Sequence, residues 1–424
     1  MPGPWESHIC PGCACLCDDI DLVESEGGLL AQNVCAWGAA KFLGAKKFHP
    51  GQPRRRLTAP FIRHGGRRQE VSQAAALAEA AELLARARGP VVFGLTACGS
   101  RAQEAALSLA RRLRARLEPA DLNLMAPYYQ ALLSEEIHHA TLDSLRDEAD
   151  TVLYWGANPL HACPRHLTRY ALFARGRFTE RGAEDRRLAA VDVHRTEMAR
   201  FCQVFVKVAP GRDLELIRAV HDLVNGGSAA ATVKGASRLA DFLRQGEVGV
   251  IFAGRGLAYG EEGTQRFAAL AALVRALRPE RRFFLFPFAS DFNSAGLYHL
   301  LLTHLGSPFA PDFGSGDLPV FQTQPVDWEE ADAILVTGAD LFWLLPEETR
   351  RELARRQVPV VAIGPWEDRT MARATVGLPA ALEGLEVEEI AYRQDGLPVF
   401  LKAVLPAPAP AAHQVLTDLL EISA

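Results

Sequence analysis

Four cysteines in the first 35 residues, Cys10, Cys13, Cys17 and Cys35, have the spacing C-x2-C-x3-C-x17-C in the run CPGCACLCDDI…NVCAWGAAKF. Thiolates are soft ligands suited to zinc or to an iron-sulfur cluster, and three within one tight turn can cap one face of a cluster while a fourth closes it. Cys15 lies between Cys13 and Cys17, which makes the ligand set ambiguous. Paired zinc-ribbon knuckles want a second C-x2-C, whereas Cys35 stands alone. A 4Fe-4S cluster on Cys10, Cys13, Cys17 and Cys35, a zinc site, and cysteines kept without metal are the three readings open from the residues. Asp18 and Asp19 add negative charge beside them, and Lys41 some counter-charge.

The segment NPLHACPRHLTRYALFARGRFTERG (158–182) concentrates polar and basic side chains. Its His161, Arg165, His166, Arg169, Arg175 and Arg177 could surround an anion or the carboxylates of a partner. Equally, the arginines could pair with local acids, with RGRFTERG as a surface hairpin. His161 and His166 lack a third metal ligand in reach, and His138-His139 reads as surface. The sequence contains no G-x-S-x-G elbow, H-E-x-x-H motif, protein-kinase signature or Walker P-loop.

These residues are positioned by alternating helical and apolar strand segments, the pattern of an α/β fold with parallel strands. Ser72 is placed to cap a helix over 72–88 that stops at Gly89-Pro90. Continuous apolar strands are expected at PVVFGLT, DTVLYWG, RLAAVDV, VGVIFAG, RFFLFPF, DAILVTG and VPVVAIG, the signature of sheets covered on both faces. Such sheets bind ligands at the carboxyl ends of their strands. Three strand ends are therefore the first places to look for a cofactor: Gly156-Ala157-Asn158-Pro159, Asp192-Val193-His194-Arg195-Thr196 and Gly254-Arg255-Gly256. Each is also what an ordinary strand-to-helix turn looks like, and Gly254-x-Gly256-x3-Gly260 misses the dinucleotide fingerprint by one residue.

With 424 residues, 49% hydrophobic and 23% charged, the chain has the length for two or three domains. A formal net charge of −5, from 51 acidic and 46 basic residues, gives no signature of nucleic-acid or membrane binding. The absence of a leader-like segment or a run of about 20 apolar residues sets a cytoplasmic expectation.

Six segments run nearly end to end: CPGCACLCDDI…NVCAWGAAKF, YWGANPLHACPRH, FARGRFTERGAEDRRLAAVDVHRTEMA, FPFASDFNSAG, PFAPDFGSG and AYRQDGLPV. Through them the chain resembles the B subunit of formylmethanofuran dehydrogenase, within the molybdopterin oxidoreductase superfamily. The resemblance implies two doubly wound parallel-sheet α/β domains, one inserted in the other, plus a small N-terminal cysteine-rich iron-sulfur domain. The expected boundaries are 1–56 for the cysteine-rich domain, 57–140 with 308–424 for one α/β domain, and 141–307 for the insert. It further implies a 4Fe-4S cluster on the four cysteines and a vestigial pterin cleft touched by Lys41, Asn158, His161, Arg165 and His166.

The departures bear on activity. Where the family has a Cys-His-Gly-Pro tetrad that supplies the metal thiolate and a histidine, this chain reads Leu124-Met125-Ala126-Pro127. The active-site arginine of a Met-Arg-Gly-His-Tyr-Asn run falls on Ala289 and its histidine on Asp291, in Phe288-Ala289-Ser290-Asp291-Phe292-Asn293. A Pro-Gly-Glu-Thr loop has become Val320-Phe321-Gln322-Thr323-Gln324, and a Ser-Asp-Pro-Gly turn reads Gly338-Ala339-Asp340-Leu341. The pattern is similar to the B-like subunit of the bacterial formyltransferase/hydrolase complex of one-carbon metabolism. That similarity implies a non-catalytic subunit without tungstopterin or molybdopterin, working beside an A-like hydrolase subunit, a C-like subunit and a formyltransferase subunit. Two rivals are an active tungsten or molybdenum-pterin oxidoreductase ligated by Cys98 or Cys163, and an electron-transfer module in which the cluster alone acts.

Overall fold

The computed structural model describes residues 5–25, 28–42, 55–228, 233–258, 260, 262–314, 316 and 318–423. The chain divides into two compact units.

The first unit comprises Met1–Leu122, Asp291–Arg393 and Pro398–Ala424. Its nine-stranded sheet has the order Val320–Gln322, Ala310–Asp312, Arg116–Pro119, Pro90–Gly94, Ala333–Thr337, Val360–Gly364, Val376–Pro379, Phe61–His64 and Arg67–Glu70. The central strands from Arg116–Pro119 to Val376–Pro379 are parallel, and antiparallel pairs finish both edges. Every residue of Pro90–Gly94 and Ala333–Thr337 is buried, as the apolar runs require of strands covered on both faces. Val91, Phe93, Ile334, Val336 and Val360 form one core layer with Leu341, Phe342 and Leu353. Ser72 does cap its helix, Gln73–Ala85, accepting a bond from the amide of Ala75 at 3.2 Å.

The cysteine-rich segment belongs to this unit. An antiparallel sheet of Trp5–His8, Ile20–Ser25 and Gly28–Gln32 is followed by the short helix Ala36–Phe42. Ile9 and Leu16 pack against Ala97, Phe292, Ala391, Val399 and Leu401. That shared apolar cluster ties the described part of the cysteine-rich segment to the rest of this unit.

The second unit comprises Asn123–Ser290 and Gln394–Leu397. Its five strands are all parallel, in the order Val204–Lys207, Arg187–Asp192, Thr151–Trp155, Val248–Gly254 and Arg282–Phe288. The short return segment is tied in by Asp395, whose Oδ2 accepts the amide of Leu142 at 2.7 Å. The chain passes between the two units at 122/123 and 290/291. Among the described residues, no helix is long and apolar enough to cross a membrane.

Candidate functional site

The cysteine loop is folded back on itself. The amide of Cys10 donates to the carbonyl of Cys17 at 2.8 Å, and that of Leu16, in the left-handed region at φ 40°, to the carbonyl of Cys13 at 3.1 Å. Cys35 stands just before the helix Ala36–Phe42, and its carbonyl accepts from Ala39 at 2.8 Å. Two glycines line the loop at close quarters: a Cβ on Gly38 would lie 2.8 Å from the Cys10 sulfur, and one on Gly12 3.1 Å from it. Cys10, Cys13 and Cys17 are buried and Cys35 is half-buried. Burial pushes the Cys10 thiol well up, and Cys13, Cys17 and Cys35 push it further, against a bond from the Gly12 backbone. Burial thus favours the neutral Cys10 thiol, and a bound cation would invert that balance. Buried thiols this close, Cys13 and Cys15 among them, are soft donors suited to a metal. Cys15 is wholly buried, with its sulfur within 4.8 Å of that of Cys13, so the ambiguity of the spacing persists in three dimensions.

In the first unit, strand order reverses direction between Pro90–Gly94 and Ala333–Thr337, the switch point at which open α/β sheets bind ligands. Here the two loops that follow are bonded to each other: Leu95 donates to the carbonyl of Thr337 at 2.8 Å, and Ala97 to that of Gly338 at 3.2 Å. Cys98 is buried in this crevice, its sulfur 3.5 Å from Thr337 Oγ1. Burial, then Glu383 and Glu389, raise its thiol well above the ordinary value.

The segment after the second unit's last strand supports this crevice. Thr96 Oγ1 donates to Asp291 Oδ2 at 2.6 Å. Asn293 is wholly buried: its Nδ2 donates to the Cys98 carbonyl at 2.8 Å and to Ser100 Oγ at 3.4 Å, and its Oδ1 accepts from the Tyr392 amide at 2.7 Å. Asparagine is the residue this run shares with the Met-Arg-Gly-His-Tyr-Asn pattern, and its work is structural. Lys41, expected at a pterin, lies over the Phe292 ring at 5.4 Å and lowers the proton affinity of Glu383.

In the second unit the switch point falls between Thr151–Trp155 and Val248–Gly254. The glycines there serve loop-to-loop packing: the Gly256 amide donates to the Gly156 carbonyl at 3.1 Å, and a Cβ on Gly254 would lie 2.2 Å from that oxygen. Asn158 caps the turn Pro159–Ala162 by accepting from Leu160 at 3.2 Å. His161 is exposed, 3.4 Å from Glu197. Arg165 precedes the short helix His166–Arg169. His166 departs most from expectation. It is wholly buried among Tyr154, Tyr170, Phe252 and Phe288, with its Nδ1 2.8 Å from the Tyr154 hydroxyl. Burial drives its pKa down to about 3, so it is neutral core packing rather than a cofactor contact. Arg169 and Arg177 lie over the rings of Tyr170 and Phe178.

The positions that the sequence resemblance sets against the family's ligands carry buried apolar side chains. Leu124, Met125 and Ala126 lie in the helix Leu122–Leu133, 1%, 0% and 1% exposed, and Ala289 is 0% exposed. Cys163, the other alternative thiol, is wholly buried and points to the Ala289 carbonyl at 3.7 Å. Glu383 and Glu389 went unnoticed in the sequence, because their partners at 99–101 are more than 280 residues distant.

No family model matches the sequence. Over 419 residues the chain is 30% identical to the B subunit of the tungsten-containing formylmethanofuran dehydrogenase 2 of Methanocaldococcus jannaschii, covering 94% of this chain and 93% of that one. The B subunit of the same name from Methanococcus maripaludis is 28% identical over 420 residues, covering 95% and 94%. Among solved structures, the formyltransferase/hydrolase complex from Methylorubrum extorquens in complex with methylofuran contains a chain that matches with a TM-score of 0.66 at 22% identity, covering 86% of this chain and 98% of that one. Acetylene hydratase from Pelobacter acetylenicus matches with a TM-score of 0.69 at 11% identity, covering 99% and 69%. At these identities the two structural likenesses speak to the fold.

Proposed function

The chain belongs to the family of formylmethanofuran dehydrogenase B subunits, and from that premise we propose that it is a non-catalytic B-like subunit of a formyltransferase/hydrolase complex. In this reading a formyltransferase partner moves the formyl group from tetrahydromethanopterin to a methanofuran-type carrier, and an A-like hydrolase releases formate, with a C-like subunit completing the assembly. The observation that carries it is the burial of Leu124, Met125 and Ala289, each at most 1% exposed, at positions that the resemblance sets against the family's metal-site Cys, His and Arg. A leucine offers no donor to tungsten or molybdenum, a thioether carries no proton at neutral pH, and a buried alanine holds no anion. These residues do not fit a pterin-bound metal. Hydrolysis of a formamide moves no electrons, so the losses are coherent with that chemistry and incoherent with a dehydrogenase.

The cysteines keep a role in this reading. A 4Fe-4S cluster on Cys10, Cys13, Cys17 and Cys35, when bound, would supply metal-thiolate bonds that tie the 10–17 loop to residue 35. The apolar contacts of Ile9 and Leu16 favour a structural use, holding the N-terminal segment on the first unit. The test is to purify the chain with its partners and supply a formylated carrier together with a viologen dye. Formate should appear without dye reduction. Dye reduction in step with consumption of the formyl group would overturn the proposal.

A further inference from the structure

The helix Ser100–Arg112 starts at the switch point of the first unit, and its N-cap, Gly99, offers no side chain to its amides. A helix N-terminus of this length at a switch point, with basic side chains beside it, is a ready-made site for phosphate or another anion. The anions found there come from the chain itself. Glu383 accepts the Gly99 amide at 2.7 Å. Glu389 accepts the Arg101 amide and its Nε, both at 3.3 Å, with the same oxygen. The Glu389 side chain crosses Gly99 so closely that a Cβ there would fall 1.7 Å from its Cγ. Burial and then Glu389 disfavour the charged form of Glu383, and the Gly99 amide, Lys41 and Arg101 oppose them as they would support an external anion. Both are buried, 7% and 1% exposed, and the fit is imperfect: among the described residues Glu383 Oε1 and Glu389 Oε2 have no hydrogen-bond partner, nor does His413 Nδ1, 4.0 Å from the latter.

We propose that Glu383 and Glu389 are a built-in anion, which occupies the phosphate-type site at the start of Ser100–Arg112 and closes the first unit to the phosphate or pyrophosphate group of a cofactor. Two buried carboxylates near each other are costly to hold. The helix amides, Arg101 and Lys41 offset that cost, as they would offset a phosphate. Removing the carboxylates leaves the cationic groups unbalanced, and the site opens. The inference stands on this unit alone, and its failure would leave the reading of the complex to be decided by electron transfer and metal content.

The test uses the full-length protein and inorganic pyrophosphate, followed by titration calorimetry. The wild type should show no binding at millimolar pyrophosphate. The double variant Glu383→Ala/Glu389→Gly should bind at least about tenfold more tightly than the wild type, and adding Arg101→Gln should reverse the gain. Should the double variant not fold, Glu389→Gln keeps the packing and removes one charge, and it should show a smaller gain in the same direction. Pyrophosphate binding to the wild type that Arg101→Gln abolishes would overturn the proposal, as would a folded variant that gains nothing.

Discussion

Asn293→Ala should loosen the first unit at a defined place. The side chain is wholly buried and joins three parts of the chain, the Cys98 carbonyl, Ser100 Oγ and the Tyr392 amide. Alanine keeps the backbone bonds, from the Asn293 amide to Thr96 and from Gln103 Nε2 to the Asn293 carbonyl. It leaves the Cys98 carbonyl and the Tyr392 amide without partners. Each buried orphan costs about 1–3 kcal/mol, so the loss should total about 3–5 kcal/mol. The local assay is hydrogen exchange at the Tyr392 amide, which reports opening free energy without requiring two-state unfolding of a two-unit chain. Its protection should fall, with a denaturant midpoint lowered in parallel. Asn293→Asp keeps the acceptor for Tyr392 but sets an acceptor against the Cys98 carbonyl, so it should recover part of the loss only where its carboxyl is protonated. Unchanged Tyr392 protection in Asn293→Ala, with a loss below about 1 kcal/mol, would refute the structural role assigned to this residue.

Three further outcomes follow from the same geometry. Burial, then Glu389, push the Glu383 pKa up from 4.5 to about 7, against Gly99, Lys41 and Arg101. The native state then binds more protons than the unfolded chain between those values, and stability falls as pH rises through that window by roughly 3 kcal/mol. Glu383→Gln should flatten that slope in denaturation curves recorded from pH 4 to 8, and an unaltered slope would assign the pH dependence elsewhere. Gly38→Ala would bring a Cβ to 2.3 Å from Val34 Cγ2 and 2.8 Å from the Cys10 sulfur, so it should lower iron per chain; full iron retention would contradict the cradle. Tyr154→Phe removes the hydroxyl at His166 Nδ1, whose Nε2 already has no partner, and should cost about 1–3 kcal/mol in stability without changing formate release by the complex.

The parallel strands were legible because both faces are covered, which writes the strand into the sequence as an unbroken apolar run, as in Pro90–Gly94 and Ala333–Thr337. The boundaries between units were not, because the chain crosses at Leu122/Asn123, at the start of a helix, and at Ser290/Asp291, just past a strand, with no linker composition at either place. His166 misled for a related reason. Its basic neighbours Arg165 and Arg169 are local, whereas the rings of Phe252 and Phe288 that bury it come from distant strands. The cysteine spacing marks a loop, but the choice among Cys13, Cys15 and Cys17 is made in three dimensions by a bound metal. Glu383 and Glu389 sit in a stretch rich in glutamate, and only the fold brings them to Gly99 and Arg101.

The central claim is that this member of a tungsten-enzyme family has kept the scaffold and given up the metal. Elemental analysis of the chain co-purified with its partners, grown with tungstate and molybdate supplied, tests it most directly. The account predicts iron from the cysteine site, with tungsten and molybdenum at background. Either of those metals near one per chain, together with a releasable pterin, would contradict it.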